Sequence, residues 1–403
     1  MDIDVAAWAN LALRWLHITT GIAWIGSSFY FVWLDDHLRP SQDPEDGIAG
    51  DLWAVHGGGF YHNEKFLVAP PTLPDDLHWF KWEAYFTWMS GFLLLALIYY
   101  YGADIFLIDR SKAALSQGQA SAVGLGALAM GWLIYDGLCR LPWLKNDTII
   151  GLIWFAVLTL AAYLLSRIFS DRGAFIHVGA MIGTVMVGNV FFVIIPNQKK
   201  TVAALIAGKT PDPVLGAQGK QRSVHNTYMT LPVLFIMISQ HYPMVVGSSV
   251  NWLLLAGLGA VGWVIRYFFI LRHRGVIRYE LVFAACAGFL FVAYAATSVQ
   301  RRDVADIKAG APVLLAEAMQ IIDRRCTACH SARPSNQNFS APPAGVAFDA
   351  PDDIKRYAQR IYARAVLTGT MPLGNATGMT REERRTLGRW VLSLDDPQTE
   401  KRQ

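Results

Sequence analysis

A chain of 403 residues with 53% of them hydrophobic and only 16% charged carries more apolar surface than one soluble core can hide. Its 14 Trp, 15 Tyr and 21 Phe exclude disorder, and four Cys exclude a disulfide scaffold. The formal charge of +4 is uneven: residues 1–299 hold 19 basic against 19 acidic side chains, and residues 300–403 hold 16 against 12. The two parts obey different physics, and no nucleic-acid partner is expected.

Through residues 1–299, apolar windows recur near the length of about 20 residues that an α-helix needs to cross a bilayer. They fall at Ala7–Leu34, Phe80–Tyr101, Ala120–Leu138, Thr148–Ser166, Ala174–Ile195, Val224–Val246, Val250–Leu271 and Tyr279–Ser298. The third, rich in Gly and Ala, is the least hydrophobic. The expected fold class is all-α, a polytopic bundle of about eight transmembrane helices. Arg39, Lys65, Arg140, Lys145, Lys199, Lys200, Lys209, Lys220, Arg222, Arg272, Arg274 and Arg278 follow odd-numbered windows. Only Arg110, Lys112, Arg167 and Arg172 follow even-numbered ones, so the positive-inside rule puts odd connections in the cytoplasm and both termini outside. Met1–Asp4 holds two acids and no base, unlike a cleaved signal peptide, so the first window is expected to be retained.

Two segments interrupt the windows. Asp35–Trp79, rich in His, Gly, Trp and Pro, is expected as a long functional loop without regular structure. Pro196–Arg222 is expected as a basic loop turning at Pro211-Asp212-Pro213. Ionisable groups inside a membrane are costly and point to function. His17, His177, His225 and His241 lie in or beside windows one, five and six, and His56, His62 and His78 in the first loop. Neutral imidazole serves as a haem ligand or proton carrier, and an interfacial polar residue is the plain alternative. Glu83, Asn197, His225, Asn226, Arg266 and Glu280 gather toward the cytoplasmic side. Arg266 either snorkels to the interface or forks onto a planar anion. Cys139 and Cys286 read as buried small residues.

Beyond a linker at 300–312, residues 313–403 read as a second domain centred on Cys326-Thr327-Ala328-Cys329-His330, the C-x-x-C-H pattern of c-type haem attachment. Two cysteines three apart reach the two vinyl groups of one haem, and the adjoining His330 meets the iron. Zinc would need two more good ligands, and residues 300–403 hold no other Cys or His. Helices are expected over Val313–Arg325, over Asp352–Thr368, and from a capping box at Thr380-Arg381-Glu382-Glu383 to about Leu394, with Trp390 on the apolar side. Helix, C-x-x-C-H, helix, Met-Pro and helix together look like a class I cytochrome c domain. By that resemblance Met371 is the sixth ligand, with Met379 as the alternative. Such haem is attached outside the cytoplasmic membrane, on the side to which eight spans would deliver the tail.

The stretches Leu13–Gly26, His56-Gly57-Gly58-Gly59-Phe60-Tyr61, His78–Tyr85 and His225–Phe235 resemble the membrane-bound, cytochrome c-linked urate oxidases of the PuuD type. That family joins eight spans to a C-terminal cytochrome c, so the resemblance covers essentially the whole chain. It implies an oxidoreductase of purine catabolism in the bacterial inner membrane, its cytochrome in the periplasm. Urate would become 5-hydroxyisourate, with electrons passing to the covalent haem c rather than O₂, then to a downstream periplasmic cytochrome or terminal oxidase. Residue type and expected side make His56, His62, His78 and His225 the base candidates, and Arg266, Lys65 and Asn226 the anion-binding candidates. The first window also resembles membrane haem b proteins of the protoporphyrinogen oxidase and copper-resistance types. That implies an intramembrane haem b on His17, facing His177 or His241, as a relay across the bilayer. The competing reading is a quinol- or porphyrin-linked electron-transfer protein without urate activity, whose haem quinol would reduce in the absence of urate. A transporter gives no reason for covalent haem.

Overall fold

The computed structural model describes residues 5–40, 47–70, 72–308, 310–311 and 313–394. The acidic leader Met1–Asp4 and the tail 395–403 lie outside the described residues. All eight apolar windows fall on long helices: α1 (Val5–His37), α2 (Trp82–Leu95), α3 (Gln117–Arg140), α4 (Asp147–Ile168), α5 (Asp171–Gly188), α6 (Pro213–Ser239), α7 (Asn251–His273) and α8 (Tyr279–Lys308). Among the described residues, six of these are long and apolar enough to cross a membrane, all but α1 and α6. α1 is diluted by Asn10, Arg14, His17, Thr19 and Thr20, and α6 opens on Gln218-Gly219-Lys220-Gln221-Arg222. Length and apolarity thus support six of the eight windows as candidate spans.

α5 is the most deeply buried of the six. Its Phe175, Val178, Met181, Ile182 and Val185 share one core with Leu128, Tyr135, Trp154, Met229 and Ile236 from α3, α4 and α6. α1 packs on α2 at the edge and buries only Gly21. Trp8, Trp15, Phe283 and Phe291 on α1 and α8 stand exposed, an apolar surface that bilayer hydrocarbon covers and water penalises.

Three sequence expectations change. Pro196 does not end its helix: a π-helical turn at Asn189–Ile194 links α5 to Ile195–Ile206, and only 207–212 separate that helix from α6. The π turn already interrupts the i→i−4 ladder, so proline enters without costing another bond. The sixth window overran, because α6 stops at Ser239 and Pro243 starts a separate turn, Pro243–Val246. The first loop is not irregular. It forms an antiparallel hairpin, β1 (Ile48–His56) and β2 (Gly59–Phe66), turned by Gly57-Gly58 with both φ positive.

α8 runs unbroken through most of the expected linker to Lys308, and its buried Ile307 packs near Gly388. The C-terminal unit then builds α9 (Leu315–Arg325), helical turns from Pro351 to Leu367, and α10 (Arg381–Leu394). The capping box forms as expected: Glu383 N–H donates to Thr380 Oγ1 (3.1 Å), and Thr380 N–H donates to Glu383 Oε2 (2.7 Å). Trp390 and Leu387 are fully buried against Ala318, Ile322 and Ile361. This unit sits on the bundle end formed by the connections after α2, α4 and α6. A Cβ on Gly374 would stand 2.5 Å from the Ile108 carbonyl oxygen and 2.7 Å from that of Ile105. Only glycine allows so close an approach.

Candidate functional site

The C-x-x-C-H segment is a tight turn after α9. Cys326 N–H donates to Ile322 O (2.7 Å), and both Cys329 and His330 N–H donate to Cys326 O (3.1 and 2.9 Å). Both thiols are free. His330 Nδ1–H donates to Val346 O (2.8 Å), which leaves Nε2 with its lone pair for a metal. Burial pushes the Cys326 thiol up to about 12 and raises Cys329 as well. Met371 packs partly buried against the unit's core, and Arg384 donates to its carbonyl oxygen (2.5 Å). Met379 is 3% exposed, with its N–H and C=O both on the Asn375 side chain. Tyr362 Oη and Trp390 Nε1, buried in the same core, have no hydrogen-bond partner. Two free thiols, an oriented imidazole, a thioether and orphaned donors fit a covalently held haem. Among the described residues no group of three or more His, Cys, Asp or Glu side chains could hold a bare metal ion.

The membrane histidines part company. His17 Nδ1 donates to Thr87 O (2.9 Å), and a Cβ on Gly91 would lie 2.8 Å from its Cε1. His177 is fully buried, Nδ1 on Gly173 O (2.7 Å) and Nε2 3.3 Å from Tyr100 Oη. His241 stands exposed in the turn after α6 and faces neither. Cys286 is exposed on α8, contrary to expectation, because that helix lies at the bundle's edge; Cys139 is half-buried, 4.0 Å from His225 Nδ1.

Where α3, α5 and α6 meet toward the hairpin end, a buried polar network forms. Arg222 donates to Asp136 Oδ1 (2.7 Å) and Asn189 Oδ1 (3.2 Å), with its guanidinium 5.1 Å from the Tyr135 ring. Asn189 donates to Tyr135 Oη (3.2 Å) and Asn226 Oδ1 (2.8 Å), and Asn226 donates to Met186 O (2.9 Å). Asn226 therefore has both amide ends engaged and is not free for an anion. His225 Nδ1 meets Tyr135 Oη (2.8 Å), while Nε2 is buried without a hydrogen bond, 3.5 Å from Asp147 Oδ1. Arg222, expected in a loop, is 3% exposed; α6 begins nine residues before it at Pro213 with Asp212 as its N-cap, a helix-start signal where a turn was expected. Arg222→Met, which leaves Asn189 Oδ1 without its donor while Asp136 keeps Arg140 (2.6 Å), is expected to lower stability by about 1–3 kcal/mol, read as a lower detergent-denaturation midpoint.

A second cluster joins the last turns of α1 and α7. Phe29, Trp33, Asp36 and His37 fall at i, i+4, i+7 and i+8, one helical face. Arg266 is 4% exposed, its guanidinium 4.0 Å from the Phe29 ring. Arg274 Nε donates to Asp36 Oδ1 (3.2 Å), and the rings of His37 and His273 are 5.5 Å apart. Arg266 was expected here from its residue type and side; Asp36, His37 and His273 were not, although the α1 spacing is legible in the sequence.

The hairpin holds the remaining candidates. His62 stacks on Trp53 (4.4 Å) and its Nε2 meets Asp51 Oδ2 (2.7 Å). His56 is exposed beside the turn, and His78 packs edge-on to Phe80 (4.6 Å). Lys65 pairs with Asp35 (2.7 Å), tying the hairpin base to the end of α1. These residues do not converge with His225.

A protein-family profile described as "Urate oxidase N-terminal" matches residues 4–297. Neither a curated protein nor a solved structure matches the chain.

Proposed function

The chain belongs to the urate oxidase N-terminal family, and from that premise we propose that it oxidises urate in its membrane bundle with a c-type haem on its own C-terminal unit as acceptor. Urate gains the oxygen of one water and loses two electrons and two protons to give 5-hydroxyisourate. The observation that carries the link between the two units is the loop around Met371. Thr368 packs on Gly247 and Gly374 on the Ile105 and Ile108 carbonyls, so the proposed ligand loop is seated directly on the helix ends.

Cys326 and Cys329 would hold the haem as thioethers, His330 Nε2 and Met371 Sδ would face its iron, and bound there it supplies a one-electron acceptor. Arg384 positions the ligand loop through the Met371 carbonyl and Asn375 Oδ1 (3.2 Å). His17, with Nδ1 on the Thr87 carbonyl, is the membrane residue that would hold a haem b, whereas His177 Nε2 already meets Tyr100 Oη. Arg266 holds the urate anion, and His225, whose buried Nε2 lies 3.5 Å from Asp147 Oδ1, is the one of the four base candidates that lies inside the bundle. The bundle lies in the bacterial inner membrane with the C-terminal unit in the periplasm, where a downstream cytochrome or terminal oxidase removes the electrons. Anaerobic turnover tests this reading: urate consumption with an added cytochrome acceptor supports it, and consumption that requires O₂ overturns it.

A further inference from the structure

Two buried polar clusters occupy the hairpin end of the bundle, and their hydrogen-bond status separates them. Around Arg222 the guanidinium and both asparagine amides have protein partners, and His225 Nε2, 3.5 Å from Asp147, and Trp154 Nε1, beside Tyr135, are left without a hydrogen bond. Around Arg266 four buried atoms have none: Asp36 Oδ2, Arg266 Nε, Arg266 Nη2 and His273 Nδ1. Orphaned buried polar groups are expensive, each costing about 1–3 kcal/mol, so a cluster of four signals a missing polar partner.

The four atoms belong together. Arg266 and His273 fall at i and i+7 on one face of α7, and the His273 ring is 5.5 Å from that of His37, which adjoins Asp36 on α1. Arg274 holds Asp36 Oδ1 and leaves Oδ2 over. Flat rings border them: Phe29 against Arg266, and Trp33 stacked on His37 at 4.8 Å.

We propose that the facing ends of α1 and α7 form the pocket for the purine ring system, with Arg266, Asp36 and His273 as its polar contacts. The ligand class this chemistry selects is a planar, anionic heteroaromatic with N–H donors beside carbonyl acceptors. The guanidinium edge donates twice to ring oxygen or deprotonated nitrogen, Asp36 Oδ2 accepts a ring N–H, and His273 Nδ1 completes the rim. The aromatic wall supplies stacking area. This deepens the urate reading and rests on it.

The test separates binding from turnover. Full-length, haem-loaded protein is reduced beforehand under anaerobic conditions, so urate binds without reacting, and labelled urate is titrated by equilibrium dialysis. Asp36→Asn and His273→Gln are each expected to weaken binding at least about tenfold. Asp104→Asn, on the opposite end of the bundle and paired with Arg110, is expected to bind as the parent does. Asp36→Glu keeps the charge but shifts the acceptor, and serves if Asp36→Asn fails to assemble. Undiminished binding by the Asp36 and His273 variants overturns the pocket, as does a parent that binds no urate. A parent that binds urate through these residues yet never oxidises it overturns the proposed function and leaves the pocket standing.

Discussion

Replacing Arg266 with alanine is expected to raise the KM for urate by about 10- to 150-fold, the span of a charge-assisted hydrogen bond worth about 1.5–3 kcal/mol. The guanidinium is 4% exposed, so it is desolvated before substrate arrives, and two of its nitrogens have no protein partner. Its plane lies against Phe29 rather than against a carboxylate. A side chain held ready but unpaired gives its interaction to the ligand. Alanine removes the charge and the planar fork together; lysine restores the charge without the fork and is expected to recover only part of the loss. kcat is expected to change less than KM, because the contact is made equally in the bound ground state and beyond it. Steady-state kinetics on monodisperse, haem-loaded protein check this, and an unchanged KM removes Arg266 from the site.

The second large effect lies in the C-terminal unit. Cys326→Ser with Cys329→Ser is expected to abolish covalent haem, so that no c-type α-band survives acid–acetone extraction and urate-driven reduction falls to background. Urate binding to the bundle is expected to persist, since the C-x-x-C-H turn lies in the other unit. Met371→Ala separates attachment from ligation. The thioethers remain and the covalent band survives, while loss of the soft thioether lowers the haem potential. A potential unchanged in Met371→Ala but altered in Met379→Ala would give the sixth position to Met379, against its 3% exposure and its backbone ties to Asn375.

Much of this was legible in the chain. The apolar windows fell on helices, the sixth overrunning its helix end at Ser239, because runs of such length have no other way to satisfy their backbone in hydrocarbon. The Thr380–Glu383 box forms with both bonds, as a purely local signal should. Signals that depend on distant partners were read less well. The Gly57-Gly58 hairpin was visible in its turn and flanking aromatics, yet the loop's length and prolines obscured it. Pro196 reads as a helix stop from sequence, and only the preceding π turn shows otherwise. Arg222 and Asn189 looked like loop and window residues until α3, α5 and α6 brought them together. Asn226 and Lys65 have the right chemistry for an anion, but Asn189, Met186 and Asp35 already occupy them. Residue type states what a group can do; only packing says whether it is free to do it.

The most direct measurement is the visible spectrum of the purified, air-oxidised protein, recorded anaerobically before and after urate is added. Reduction of the c-type α-band with formation of 5-hydroxyisourate is the predicted result. A haem that stays oxidised with urate but is reduced by a quinol would contradict it.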